Sequence, residues 1–270
     1  MAKYTLSDLT YLMSRLRDPQ GGCPWDLQQT FATIVPHTLE EAYEVADTIE
    51  REDWTHLKDE LGDLLFQVIF YAQLGQEESL FDLDGIIDQL VSKLVRRHPH
   101  VFVDGQLRGI RATDEVEPEQ VNRQWEAIKA QERERKSKVG VLDEIPLSLP
   151  SLSRAQKLQK RAANVGFDWS EAKDVLDKLE EEIGELREAI DLGDSNAVAD
   201  EMGDLLFAQV NLARKLGVNA EQAVRATNAK FERRFRYIED QVNASERDWS
   251  DFTLQELDQL WNAAKSLESN

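Results

Sequence analysis

One acidic pattern is written twice in this chain. "EEAYE" followed by "ELGD" places Glu40, Glu41, Glu44, Glu60 and Asp63 in the first half, and "EEIGE" followed by "EMGD" places Glu181, Glu182, Glu185, Glu201 and Asp204 in the second. Glu41 to Glu182 and Asp63 to Asp204 are both shifts of 141 residues, so the whole constellation is copied without an insertion. Further on, "KLVRR" matches "KFERR" at a shift of 137, and "WEAIK" matches "WNAAK" at 136. A chain that repeats acids, acids, cations and a Trp-Lys pair in one order predicts a tandem of one supersecondary unit.

The unit is helical. Leu6 to Leu16 has apolar residues at helical spacing with Ser7 as a cap, and "RDPQGGCPWD" stops it with Pro and Gly. The helical pattern resumes from Thr30, and Thr38 stands at capping-box spacing from Glu41. "HLKDELGDLLFQVIFYAQL" is apolar nearly all round, which predicts a buried helix in a bundle or at a subunit interface, with Glu60 and Asp63 at least partly buried. A helix over Leu83 to Arg97 ends at "HPHVF". After a connection carrying one helix, "VNRQWEAIKAQERERKSK", and a boundary marked by Pro146 and Pro150, the pattern returns. Helices are expected over Leu158 to Ala163, Ala172 to Asp191, Ala197 to Leu216, Ala220 to Gln241 and Thr253 to Ser266. With almost no alternating strand pattern, the fold class is all-α. The expected organisation is a repeat over 1–102, a connecting segment over 103–150 and a second repeat over 151–270.

On helices these acids converge. Glu41 with Glu44, and Glu60 with Asp63, each share a helix face, and a short turn sets the two helices side by side. Two like charges about 4 Å apart repel by roughly 4 kcal/mol at an effective dielectric near 20. Either the carboxyl pKa values rise or a cation sits among them. Glu41, Glu44, Glu60 and Asp63, and in the second copy Glu182, Glu185, Glu201 and Asp204, are thus candidate metal ligands. A single ExxE is a common solvated face; two copies at one spacing, each leading into a buried-type helix, favour a metal site. All-oxygen ligands suit Mg²⁺ or Mn²⁺, whereas zinc would want His or Cys. Magnesium completes its shell with water and phosphate oxygens, which points to a phosphorylated substrate.

The rest of the composition agrees. With 32 Lys and Arg against 52 Asp and Glu, the net charge of −20 argues against a nucleic-acid partner. An anionic ligand would need a local metal or cation cluster. Lys230 and Arg234, four apart on one helix, can hold phosphate oxygens or can simply place charge near a helix end. Trp261 can stack on a base or pack in the core. Cys23 has no internal disulfide partner, the N-terminal stretch lacks the apolar core of a signal peptide, and no apolar run approaches the roughly 20 residues that span a bilayer. The expected compartment is the cytoplasm, with no membrane partner.

These residues also carry a family likeness. "GGCPWDLQQT", the paired EExxE and ExxD motifs, "GDLLFQ", "RRHPHVF", "GFDW" and "KFERRF" resemble the MazG nucleoside triphosphate pyrophosphohydrolases over nearly the whole chain. The resemblance implies an all-α enzyme, usually a homodimer. It implies Mg²⁺-dependent cleavage of nucleoside triphosphates between the α and β phosphates, giving monophosphate and pyrophosphate, for nucleotide-pool housecleaning or stress regulation. It assigns hydrolysis to the second repeat, with Glu182, Glu185, Glu201 and Asp204 as metal ligands and Glu181 or Glu182 orienting the water. Lys178, Asp200, Lys230, Arg234, Trp261 and Lys265 become nucleotide contacts, Asp200 standing where the family commonly has Glu. The repeat itself supports that assignment, because the position equivalent to Lys178 in the first copy is His37. The competing reading is a non-catalytic helical protein whose acidic seam holds a structural cation or a partner. The cations of the second repeat discriminate, since a purely cation-binding scaffold has no use for them.

Overall fold

The computed structural model describes residues 3–109, 117, 120, 121, 124, 125, 127, 128, 132, 140–245 and 247–268. Among them the architecture is all-α, with no β-strand element. The chain forms two compact units, 1–132 and 133–270. The segment expected as a connection is thus shared between the units, and most of its expected helix lies outside the described residues.

The first unit contains α1 (Leu6–Leu16), α2 (Pro24–Gln28), α3 (Phe31–Glu50), α4 (Trp54–Glu77) and α5 (Leu83–Arg97). Two starts differ from expectation. The cap of α1 is Thr5, whose amide donates to Asp8 Oδ2 at 2.7 Å, so Ser7 lies inside the helix. A reciprocal pair with Asp8 at the third position outcompetes a lone serine. Likewise α3 begins at a Thr30–Thr33 box, and Thr38 is interior, its hydroxyl donating to Ile34 O at 3.1 Å and lying 3.0 Å from Tyr71 Oη.

The α3–α4 hairpin is the frame of this unit, with α1 and α5 packed on α4. Met13, Ile34, Ile69, Phe70 and Leu74 form its core. Arg17 fastens the Gly/Pro loop: its guanidinium binds Glu77 through Nε at 2.9 Å and Nη2 at 2.6 Å, donates to the carbonyls of Asp26 and Gln29, and lies over the Phe70 ring. Only glycine fits at Gly22, where a Cβ would fall on the carbonyls of Leu16 and Asp18.

The second unit repeats the plan with α6 (Ser151–Ala163), α7 (Ala172–Leu192), α8 (Ser195–Lys215), α9 (Ala220–Ala244) and α10 (Leu254–Glu268), with a short 3₁₀ turn at Trp249–Asp251. The α7–α8 hairpin is the counterpart of α3–α4, α6 and α9 pack on α8, and α10 packs on α9. Here the loop before the hairpin is fastened from the other side: Asp168 accepts from Arg214 and Lys215 at the end of α8.

The near-continuous apolar patterns of α4 and α8 are not buried all round within their own units. Ile69, Phe70 and Leu74 face the core, whereas Leu61, Leu65 and Val68 are 39–49 % exposed. On α8, Val210 is buried while Met202, Leu206 and Phe207 are 42–47 % exposed. The sequence shows that these residues are apolar; it does not show that the chain supplies neighbours for only one face.

The repeat exposes one backbone contrast. Gly193, in the turn between α7 and α8, has φ 69°, and its equivalent after α3 is Glu52, with φ 56°. Glycine reaches this left-handed region without the Cβ–carbonyl clash that a glutamate meets. Glu52→Gly should stabilise the first unit by roughly 0.5 kcal/mol, after the added entropy of an unfolded glycine is subtracted. Urea denaturation measures this, and a lower midpoint would show that the Glu52 side chain has a compensating role.

Candidate metal centre

Helical spacing builds each half of the centre. On α7, Lys178, Glu181, Glu182 and Glu185 follow at i, i+3, i+4 and i+7 and share a face, and on α8 Glu201 and Asp204 do the same. The tight connection through Gly193 and Asp194, whose side chain caps α8 by accepting from the amides of Asn196 and Ala197, brings the faces together. Carboxylate oxygens of Glu182, Glu201 and Asp204 then lie within 4.8 Å of one another. Glu41, Glu60 and Asp63 form the same triad on α3 and α4. Glu44 and Glu185 are outside these tight groups, one turn further along, and act on them by charge.

Glu60 and Glu201 are half-buried, as expected, but Asp63 and Asp204 are exposed. Burial is the largest cause raising the pKa of Glu41, Glu60 and Glu201, and neighbouring acids raise each further. For Glu41 the charges are Asp63, Glu44, Glu60 and Glu40; for Glu60, Glu44 adds both charge and a hydrogen bond; for Glu201 they are Glu185, Asp204, Glu182 and Asp200. A divalent cation would remove that repulsion.

Glu182 is the sharpest point of the second triad. It is 5 % exposed, and its Oε2 is buried without a hydrogen-bond partner. A buried carboxylate oxygen in that state calls for a cation or donor. Its other oxygen is held by Lys178 Nζ at 2.8 Å, and the same ammonium reaches Glu181 Oε1 at 2.9 Å. Those two bonds, Glu182's the stronger, raise the lysine pKa and keep it charged.

Beside this triad opens a cavity of about 500 Å³, which Lys178, Glu182 and Asp204 line together with Phe167, Trp169 and Phe207. Gln159 and Asn211 add buried amides: Gln159 Nε2 donates to Phe207 O at 2.8 Å, and Asn211 Oδ1 accepts from Arg214 Nε at 3.1 Å. Sequence reasoning missed both residues, whose signal is a polar side chain on the inward face of an amphipathic helix. A larger cavity of about 970 Å³ runs along α1 and the Gly21–Cys23 loop, is mainly apolar and includes no member of either triad. Its size carries no chemistry.

The other expected contacts sit differently. Asp200 is exposed beside Glu201. Arg234 pairs with Glu268 of α10 at 2.7 Å and lies over the Trp261 ring, which also packs on Phe231. The first unit has the same clasp, with Arg96 and Arg97 on Glu132 at 2.7 and 2.6 Å. Arg234 therefore fixes the α9–α10 packing whatever else it does. Lys230 and Lys265 are exposed on α9 and α10, and neither they nor Arg234 and Trp261 line the cavity.

Comparison with known proteins identifies the family. A family model described as the MazG nucleotide pyrophosphohydrolase domain fits residues 29–102 and again 171–238, each span holding one triad. The chain is 51 % identical over 264 residues to the nucleoside triphosphate pyrophosphohydrolase of Escherichia coli (strain K12), covering 96 % of this chain and 97 % of that protein. It is 39 % identical over 258 residues to the nucleoside triphosphate pyrophosphohydrolase/pyrophosphatase MazG of Thermotoga maritima, covering 96 % and 94 %. It is also 41 % identical over 266 residues to the uncharacterized protein YabN of Bacillus subtilis, covering 98 % of this chain and 52 % of that one.

The raised carboxyl pKa values have a measurable consequence. Between the ordinary glutamate value of 4.5 and the higher folded values, the native protein binds more protons than the unfolded chain. Stability from these groups is therefore present at low pH and is lost as pH rises through the folded pKa. Chelator-treated protein should lose melting temperature as pH climbs from 4.5 toward neutrality, Mg²⁺ or Mn²⁺ should restore it near neutral pH, and Glu201→Gln should raise the metal-free value while shrinking the metal increment. A melting temperature indifferent to divalent ions would contradict the reading of the triads.

Proposed function

The chain belongs to the MazG nucleotide pyrophosphohydrolase family and is a nucleoside triphosphate pyrophosphohydrolase, and we propose on that premise that its second repeat is the cutting site, with Mg²⁺ as cofactor. The observation that carries this is the second triad itself, where Glu182 joins an all-carboxylate cluster, keeps one buried and unpartnered oxygen, and lines a cavity together with Lys178. The donor set fits a hard divalent cation, and Mn²⁺ satisfies it as Mg²⁺ does.

Glu182, Glu201 and Asp204 would hold the ion, with Glu185 one turn away. When bound, Mg²⁺ supplies positive charge to the substrate phosphates and to the charge that builds on the leaving group. Glu181, exposed and 2.9 Å from Lys178 Nζ, orients the attacking water and takes its proton as the new bond to the α-phosphorus forms. The bond from the α-phosphorus to the α–β bridging oxygen breaks, and pyrophosphate leaves with that oxygen. Glu182 shares the positioning role through the ion it holds. Lys178 supplies a fixed charge at the cavity wall, Lys230, Arg234 and Lys265 supply further phosphate contacts, Trp261 offers a ring face, and Asp200 lies beside the nucleotide. For Arg234 this means exchanging part of its Glu268 pairing for phosphate, which its five donors permit. The first triad, Glu41, Glu60 and Asp63 with Glu44 nearby, binds metal without leading the chemistry.

We infer a homodimer as the working form, because the exposed apolar faces of α4 and α8 need covering. The non-catalytic scaffold has no comparable support: relatives covering nearly the whole chain carry the name of an enzyme.

With Mg²⁺ and a panel of nucleoside triphosphates, the products should be monophosphate and pyrophosphate in equal amounts. Glu201→Gln should lower kcat on the order of 10²-fold or more, and Glu60→Gln far less. Orthophosphate as the sole released product would contradict the assigned bond, and a collapse of kcat in Glu60→Gln would move catalysis to both repeats.

A further inference from the structure

The two triads keep the same acids but differ in the cation beside them. In the second repeat Lys178 Nζ stands 2.8 Å from Glu182, a carboxylate only 5 % exposed, and 2.9 Å from Glu181. In the first repeat the equivalent His37 lies 3.8 Å from the exposed Glu40 and edge-on to Trp25, with ring centroids 5.7 Å apart. No ion pair reaches Glu41 among the described residues. Glu41 is also less buried than Glu182. An ammonium and a divalent ion on one buried carboxylate repel each other at close range, where screening by water is weakest.

We propose that Lys178 is a tethered counter-cation for Glu182 that a divalent ion must displace, and that the displaced ammonium is taken up by the substrate's phosphates. Metal and nucleoside triphosphate therefore load together in the second repeat, each improving the affinity for the other. The first repeat has no such competitor and loads its metal alone. The second centre thus holds its ion firmly only when substrate is present. Lys178 acts as a positioning residue for Glu182 in one state and as a phosphate contact in the other. This rests on the triads being metal ligands, and the test separates the two ideas.

Mn²⁺ binding, read from the electron paramagnetic resonance of the free ion, reports occupancy without turnover. In full-length protein carrying Glu41→Gln and Glu60→Gln, the remaining strong site is the second triad. There Lys178→Met should tighten Mn²⁺ about tenfold or more in the absence of nucleotide. A non-cleavable α,β-methylene nucleoside triphosphate should tighten Mn²⁺ strongly when Lys178 is present and much less in Lys178→Met. In the converse background, Glu182→Gln with Glu201→Gln, placing lysine at the first triad by His37→Lys should weaken Mn²⁺ several-fold. His37 is on the surface, so this arm stands even if removing Lys178 harms folding, which circular dichroism checks. Mn²⁺ affinity that is equal or weaker in folded Lys178→Met, or nucleotide coupling of the same size with and without Lys178, overturns the proposal while leaving the metal ligands in place. No Mn²⁺ binding in any background overturns the ligand assignment and the proposal together.

Discussion

Like charges held at close quarters are the constraint on which this structure turns. Two helix hairpins each press three carboxylates within 4.8 Å across a seam, and the acids resist. Burial first, and the neighbouring acids after it, raise the pKa values of Glu41, Glu60 and Glu201. What holds them together lies further along the same helices. Ile69 and Phe70 are buried on α4 within a turn or two of Asp63, and Val210 is buried on α8 in the same relation to Asp204. The connections between paired helices are only a few residues long, so the hairpins cannot relax by sliding apart. Burial of apolar surface, at about 25 cal/mol per Å², is the term that offsets the repulsion. A divalent ion at the seam would answer the same repulsion directly.

The surrounding scaffold solves one problem twice. Each unit must fix a Gly- or Trp-bearing loop ahead of its hairpin, and each does so with a cation–acid pair. In the first, Arg17 from α1 reaches Glu77 at the end of α4. In the second, Arg214 and Lys215 at the end of α8 reach Asp168 in the loop. The donor and acceptor have exchanged places. The two-arginine clasp has instead been kept in the same sense, with Arg96 and Arg97 on Glu132 and Arg233 and Arg234 on Glu268. Its acid is pulled well down from the ordinary value, Glu132 to about 2 by its hydrogen bond to Arg97 above all, which marks the contact as a firm one. A charge pair is therefore a property of the repeat where its partners move together with the helices, and a local solution where a loop intervenes.

Much of this was legible in the sequence because the repeat amplifies weak signals. The shift of 141 placed both triads on paired helices, and apolar spacing gave Leu83–Arg97 its observed limits. Helix starts were less legible, since Thr5 with Asp8 and Thr30 with Thr33 compete locally with Ser7 and Thr38, and hydrogen-bond geometry decides between them. Glu44 and Glu185 could not be separated from their neighbours, because i and i+3 positions share a face in projection while differing by a full turn in height. The partner of Arg234 is 34 residues away on another helix, and only a structure joins it to Glu268. Gln159 was invisible for the same reason, being polar in sequence and buried in space.

The first triad poses the remaining physical question, which is why it persists beside His37 rather than a lysine. Suppose it were only part of a helix seam. Glu41 and Glu60 would then carry pKa values raised by burial first and by the neighbouring acids second, with no charge to answer them, and any neutral side chain of similar shape would serve the seam better. Among the described residues no lysine pairs with Glu41, whereas Lys178 pairs with Glu182 in the second triad. A cation at the first triad would thus answer a repulsion that has nothing to do with catalysis, and at the second, where Lys178 already supplies one positive charge, an ion would have to win its place.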